Sequence, residues 1–361
     1  MKHTYAVIMA GGKGQRIWPA SRIKSPKQLL ALWGRKSMLE RTSERLSPLI
    51  GIDETLVVTG SRYEGLVKKQ LPHLKKDGLV LEPCGKNTAA CIGLSALWLR
   101  RRSPDAVMVV LPSDHVIRNK DNFHKVLSAA LALAKDDAPL VTLGIAPRFP
   151  ATGFGYIKLG DKHKCAKGVD IFKAEKFVEK PDVETAKRYI QSGRYVWNAG
   201  IFIWKAESIL RSMERHIPKL YSGLLKIDGA IGTRRYRQVI EREYAKFEDI
   251  SVDNGILERS RDIHVVFSEL KWDDVGSWSS LDCLGFHDKD ENIAIGENFE
   301  IDTKGSILVS DAGHLLATIG LRGMIVVQSK DATLVCTKER AQEVKELVKR
   351  LRASSKFRKY T

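Results

Sequence analysis

No apolar run in this 361-residue chain approaches the roughly 20 residues that a membrane-spanning helix needs. The amino terminus passes straight into a strand-like segment without an apolar leader, so the expected location is the cytoplasm, away from any membrane. Cysteine is scarce and unpatterned. Cys84, Cys91, Cys165, Cys283 and Cys336 are odd in number and never fall in C-x-x-C spacing, which leaves a reduced compartment and no structural metal as the expectation. Acidic residues are in deficit, 43 against 60 Lys and Arg, giving a formal charge of +17. Part of that excess sits in the tail, where Lys338 to Thr361 carry nine cations and three anions. No recognition motif and no alternation of basic with aromatic residues accompanies the charge, so nucleic acid is not an expected partner. A solvated basic face, or attraction of phosphorylated small substrates, accounts for it. With 43% hydrophobic residues, the chain has apolar content enough for one large α/β domain and a smaller one.

Two familiar phosphate-binding spellings are also missing. There is no G-x-x-x-x-G-K-[ST], and the segment from Gly12 to Ile17 lacks the third glycine of the dinucleotide fingerprint. What stands instead is an apolar run of strand length, Tyr5 to Met9, followed at once by Gly11, Gly12 and Gly14. Glycines there let backbone N–H groups approach an oxyanion with no Cβ in the way. Arg16 and Lys27 follow as fixed cations, with Pro26 restraining the backbone beside the lysine. A plain tight turn after a strand is spelled the same way, so the loop alone leaves both readings open.

Further along, strands and helices alternate as in a parallel α/β sheet. Residues 35–48 have helical spacing, 56–60 read as a strand, 61–71 as a helix, and 79–81 as a strand that Glu82-Pro83 ends. The helix that follows begins near Asn87 or Thr88, either of which can cap it, and its amino terminus can hold polar ligand groups. The run from Ala106 to His115 is the clearest central strand, and Asp114 falls just past its carboxyl end, where open α/β sheets place ligands. Mg²⁺ takes one or two carboxylates plus substrate phosphates, a role that suits Asp114. His115 has no second histidine at ligand spacing and reads as structural.

The loop holding Gly153 and Gly155 can lay amides against sugar hydroxyls or simply turn a hairpin. In Phe177 to Asp182, Glu179 can accept two hydrogen bonds from vicinal hydroxyls and Lys180 offers a charge for a phosphate. Asn198 can reach sugar hydroxyls or satisfy a buried turn. A long helical region is expected over 206–247. Asp274, in KWDDVGSW, is a second carboxylate near a strand end that can share one Mg²⁺ with Asp114. From Asn292 to Cys336 the chain breaks into short apolar runs with no helix between them, which reads as a small all-β region without a regular repeat. Residues 338–351 form an amphipathic helix with Val344, Leu347, Val348 and Leu351 on one face, and fraying is expected from Ser354 onward.

The strings GGKGQRIWP, SPKQ, EPCGKNTAA, LPSDHVI, TGFGYI, FVEKPD, VWNAGIF and WDDVGSW occur in order. Together they resemble the sugar-nucleotide pyrophosphorylases, and the Trp-Pro variant is most similar to the mannose-1-phosphate guanylyltransferases. The resemblance implies a Rossmann-like nucleotidyltransferase domain with a mixed central sheet over residues 1–288. It also implies a small β-helix-like domain with a terminal helix over 289–361, of a kind often used to form homodimers. Many bacterial relatives carry a further isomerase domain, an activity this chain is then expected to lack. The implied reaction joins GTP and mannose 1-phosphate with Mg²⁺ on Asp114 and Asp274. Gly11, Gly12, Gly14, Arg16, Lys27, Glu82, Asn87 and Thr88 would then bind the nucleotide, with Arg16, Lys27 and Asp114 catalytic. Gly155, Glu179, Lys180 and Asn198 would bind the sugar phosphate. Two departures stand out: Asn254 where relatives often carry an aromatic residue, and Ser25 where many carry Tyr. The alternatives left open are another hexose or heptose 1-phosphate, another nucleoside triphosphate, or a catalytically silent regulatory subunit.

Overall fold

The structure, a computed structural model, describes residues 3–12, 14–136 and 139–361, so Lys13 of the glycine loop lies outside it, as does the side chain of Cys283. Two compact units form, both discontinuous in sequence. One comprises Met1–Gly11, Ser43–Ser113 and Ile117–Trp272; the other comprises Gly12–Thr42, Asp114–Val116 and Asp273–Thr361. The sequence reading, by contrast, cuts the chain once, at residue 288.

The first unit is built on a nine-stranded mixed sheet. Strands β1 (Thr4–Met9), β2 (Thr55–Gly60), β3 (Leu79–Glu82) and β4 (Val107–Pro112) pair in parallel in the order β3-β2-β1-β4. They are rich in Val, Leu and Ile without alternation, as strands buried on both faces are, and β4 is buried along almost its whole length. After the two-residue β5 (Val116–Ile117) come β6 (Leu140–Ile145), β7 (Tyr156–Ala166), β8 (Val169–Val178), β9 (Tyr195–Lys205) and β10 (Ile263–Ser268). Strand β9 runs antiparallel to both β4 and β6, which converts the parallel half into a mixed sheet. The helix Asn87–Arg102 is buried nearly all round among the core residues of this unit, including Val7, Met108, Leu210 and Leu224.

The long helical region expected over 206–247 is three helices: Ala206–His216, Pro218–Ala230 and Tyr236–Lys246. Pro218 sits at the first turn of the second helix, where its missing N–H costs nothing, and Gly232 takes a positive φ in the connection to the third.

In the second unit, strands Ile293–Ile295, Ile307–Val309 and Met324–Ser329 stack in parallel with Ile293, Ile307 and Ile325 in register, and Ala332–Thr337 closes the sheet antiparallel. A second parallel pair, Asn298–Ile301 with Leu316–Ile319, lies between them in sequence. This is a β-helix-like stack of unequal rungs, and the inequality hides the period in the sequence. The three isoleucines share one core with Ile17, Trp18, Val275, Trp278, Val344 and Val348, so the residues after the glycine loop are anchored on the same apolar layer as the stacked strands.

The tail does not fray. Arg358–Tyr360 forms a short 3-10 turn, Thr361 is buried, and the Tyr360 carbonyl accepts hydrogen bonds from Trp18 Nε1 at 2.7 Å and from Arg22 Nη1. The amphipathic pattern ahead of the tail says nothing about these long-range backbone bonds. Among the described residues no helix is long and apolar enough to cross a membrane.

Candidate active site

Within the second unit, the glycine loop, Lys27, Asp114 and Asp274 come together. Gly14 has φ +56°, and a Cβ there would meet Lys27 Cβ at 2.3 Å, so the absence of a side chain is what lets Lys27 pack against the loop. Gly12 has open space where a side chain would be. Lys27 is only 6% exposed, and its ammonium meets three oxygens: Asp114 Oδ2 at 2.7 Å, the Asp274 carbonyl at 3.2 Å and the Val275 carbonyl at 3.1 Å. An ammonium has three protons, so all of them are matched by the protein.

The turn after Asp273 is held by its own carboxylates, with Val275 N donating to Asp273 Oδ1 at 2.8 Å and Gly276 N to Asp274 Oδ1 at 2.9 Å. Val275 adopts φ +43° in this turn, a region that costs a β-branched residue on the order of 1–3 kcal/mol. Its carbonyl is thereby one of the three oxygens on Lys27. Arg16 Nη1 donates to Gln342 Oε1 at 2.8 Å, and Gln342 Nε2 in turn donates to Ser277 Oγ at 3.2 Å.

Two carboxylates in this cluster have opposite electrostatics. Burial works to raise the Asp114 carboxyl, but the Lys27 charge, with His115 and the hydrogen bond from Lys27, outweighs it and holds Asp114 below the usual carboxylate value. Burial pushes Asp274 up to about 6; Asp273 and Asp114 push the same way, while Lys27 and Arg16 oppose them. A carboxylate so placed favours a neighbouring cation over further negative charge.

In the first unit, Glu82 closes β3 as a buried carboxylate. Tyr244 donates to its Oε1 at 2.6 Å, and its Oε2 lies 3.2 Å from where a Cβ on Gly11 would be. Burial raises the Glu82 carboxyl, and the Tyr244 hydrogen bond works against that. Tyr244 was not singled out from the sequence, because it lies in a helix that reads as merely basic and polar. Asn87 is exposed with φ +62°, its Oδ1 accepting from Thr88 N at 2.9 Å. Thr88 Oγ1 accepts from Val252 N at 2.8 Å, tying the start of the Asn87–Arg102 helix to the segment ahead of Asp253.

Gly155, Glu179, Lys180 and Asn198 also come together in this unit. A Cβ on Gly155 would stand 2.6 Å from Glu179 Oε2 and 3.5 Å from Asn198 Cβ, and Asn198 N donates to the Gly155 carbonyl at 2.8 Å. Lys180, exposed and with φ +46°, pairs with the Glu179 carboxylate. Asn198 is buried, its side-chain oxygen accepting from Thr142 Oγ1 at 3.0 Å and Gly200 N at 3.2 Å and its Nδ2 donating to Asp253 Oδ1 at 2.8 Å. Asp253, which sequence reasoning passed over in favour of its neighbour Asn254, opens a π-helical turn, Asp253–Leu257. Burial pushes its carboxyl up to about 6, helped by the charge of Glu179 and opposed by Asn198 and Lys180. Asn254 instead braces that turn, bonding Ser251 and Glu258. Phe149, Phe154, Trp197 and Trp272 meet edge to face, Phe149 half exposed, in the same unit.

A glycine loop with fixed cations, carboxylates at strand ends and a mixed Rossmann-like sheet defines a nucleotidyltransferase, and residues 5–285 match the nucleotidyl transferase family. Residues 296–351 match the mannose-phosphate isomerase/GMP-like β-helix domain. The mannose-1-phosphate guanylyltransferase of Escherichia coli K12 is 36% identical over 98% of this chain and 74% of its own length. That of Salmonella muenchen is 37% identical over 99% and 75%. A crystal structure described as mannose-1-phosphate geranyltransferase from Thermus thermophilus superposes with a TM-score of 0.87 at 34% identity, covering 97% of this chain and 99% of that one. Within the nucleotidyltransferases, the chain belongs to the mannose-1-phosphate guanylyltransferase family.

Proposed function

We propose that the protein joins GTP and mannose 1-phosphate to give GDP-mannose and pyrophosphate. A phosphate oxygen of mannose 1-phosphate attacks the α-phosphorus of GTP in line, a new P–O bond forms, and the bond from the α-phosphorus to the bridging oxygen breaks as pyrophosphate leaves with the electron pair. Such transfer asks for position and charge neutralisation rather than covalent help. The observation that carries the reading is the Lys27, Asp114 and Asp274 cluster beside the glycine loop, in a chain of this family.

Lys27 acts here chiefly through its charge, since its protons are matched by protein oxygens. Arg16, held by Gln342, is the guanidinium available to phosphate oxygens, and the open space where a Gly12 side chain would stand leaves room for a phosphate to approach the loop. The donor set fits Mg²⁺, because Asp114 and Asp274 are hard oxygen ligands whose mutual repulsion a cation relieves. When bound, the ion supplies neutralisation of phosphate charge. Glu82 supports guanine: a buried carboxylate beside Gly11 suits the N1–H and amino donors of that base and repels the N1 acceptor of adenine. Glu179 and Lys180 serve the sugar phosphate. Phe299, Ile301, Leu315 and Ile319 expose apolar side chains in the stacked-strand region, which supports pairing with a second copy.

Pyrophosphate release measured with Mg²⁺ and each pairing of GTP, ATP or UTP with mannose or glucose 1-phosphate tests the reading. Release with GTP and mannose 1-phosphate above all other pairs is expected. No release with any pair would return the regulatory-subunit alternative.

A further inference from the structure

Two of the residues that sequence reasoning assigned to ligands are engaged elsewhere. Asn198 has its carbonyl oxygen taken by Thr142 and Gly200 and one amide hydrogen given to Asp253. Thr88 has its hydroxyl oxygen bonded to Val252 N, next to Asp253 in the chain. Asn198 thus bonds the Asp253 carboxylate itself, while Thr88 anchors the backbone one residue before it. That aspartate opens a π-helical turn, a rare element that is frequent at functional sites. Among the described residues, no side chain other than Asn198 donates a hydrogen bond to it. Its electrostatic neighbours are Glu179 and Lys180, the residues assigned to the sugar phosphate, and Gly155 keeps the space beside Glu179 clear of any Cβ.

We propose that Asp253 is a sugar-reading residue, its carboxylate accepting hydrogen bonds from hexose hydroxyls while Asn198 and Thr88 hold it in position. The proposal rests on the functional reading above. Chemically the pair of Glu179 and Asp253 suits a polyol: carboxylates are acceptors only, hydroxyls supply the missing donors, and among the described residues no cation is bonded to Asp253 to compete for it.

Asp253→Asn is the informative change, because its side-chain oxygen still accepts from Asn198 Nδ2 while the second acceptor oxygen becomes a donor and the charge is lost. Initial rates with wild type, Asp253→Asn and Glu179→Gln, taken over mannose 1-phosphate and a panel of its 2-, 3-, 4- and 6-deoxy analogues, separate the outcomes. The expected result is a KM for mannose 1-phosphate raised roughly tenfold to a hundredfold in Asp253→Asn, with the KM for GTP unchanged. At least one deoxy analogue that costs the wild type should cost this variant little more. Equal losses for every analogue in wild type and variant overturn the proposal, as does an unchanged KM. If Glu179→Gln raises the KM and Asp253→Asn does not, the proposal fails while the functional reading stands. A wild type that neither turns over mannose 1-phosphate nor binds it by calorimetry overturns both.

Discussion

Asp274 and Asp253 have carboxyls raised to the same value, about 6, in two different units of the molecule, and burial is the largest cause in each. Their surroundings differ. Asp274 has Lys27 and Arg16 against it and two more aspartates beside it, a setting of dense fixed charge that suits phosphates and a divalent cation. Asp253 is held by an amide, faces one glutamate and has Lys180 as the weakest of its influences, a setting that suits neutral hydroxyls. A similar upward shift thus arises in two kinds of site, and it is the bonded partners, not the shift, that tell phosphate chemistry from sugar recognition.

Removing charge from the Asp274 side should have the largest effect. Lys27→Ala is expected to lower kcat by on the order of a hundredfold or more, because it unpairs Asp114 and frees two carbonyls at once; steady-state pyrophosphate release checks this. Asp114→Asn is expected to fall in the same range and to flatten the dependence of rate on Mg²⁺ concentration, read by titrating Mg²⁺ after EDTA treatment. Glu82→Gln should erode discrimination between GTP and ATP by roughly tenfold, and Tyr244→Phe, which removes only the bond to Oε1, by less; kcat/KM for each nucleotide measures both.

The smallest effect concerns stability. Because the Asp253 carboxyl is raised, the folded protein keeps a proton there between about pH 4 and 6 that the unfolded chain has already lost. The folded state binds more protons in that window, so this group makes stability fall as pH rises through it. Asp253→Asn abolishes that contribution, and thermal melts at pH 4 and 6 should show a smaller loss of Tm across the window than the wild type does.

Much of the second unit's cluster was legible in sequence, since Gly14, Arg16, Lys27, Asp114 and Asp274 each lie in a contiguous string whose residue types state their chemistry. The α/β alternation and the all-β texture after residue 290 were legible for a similar reason, being local patterns of apolar spacing. What escaped depends on long-range pairing. Tyr244 meets Glu82 from a helix 162 residues further along the chain, and Gln342 meets Arg16 across 326 residues. Asp253 needed Asn198 and Thr88 to point it out. The positive φ of Asn87, Lys180 and Val275 has no spelling, because none of these residue types demands it. The ordered tail escaped because its partners are the Trp18 and Arg22 side chains, not a helix face of its own.

The most direct test incubates the purified protein with GTP, mannose 1-phosphate and Mg²⁺ and follows phosphorus by NMR. Appearance of the diphosphate signals of GDP-mannose together with an equal amount of pyrophosphate, absent without either substrate and lost in Lys27→Ala, is the predicted result. GTP that stays intact with mannose 1-phosphate present, or turnover that survives Lys27→Ala undiminished, would contradict it.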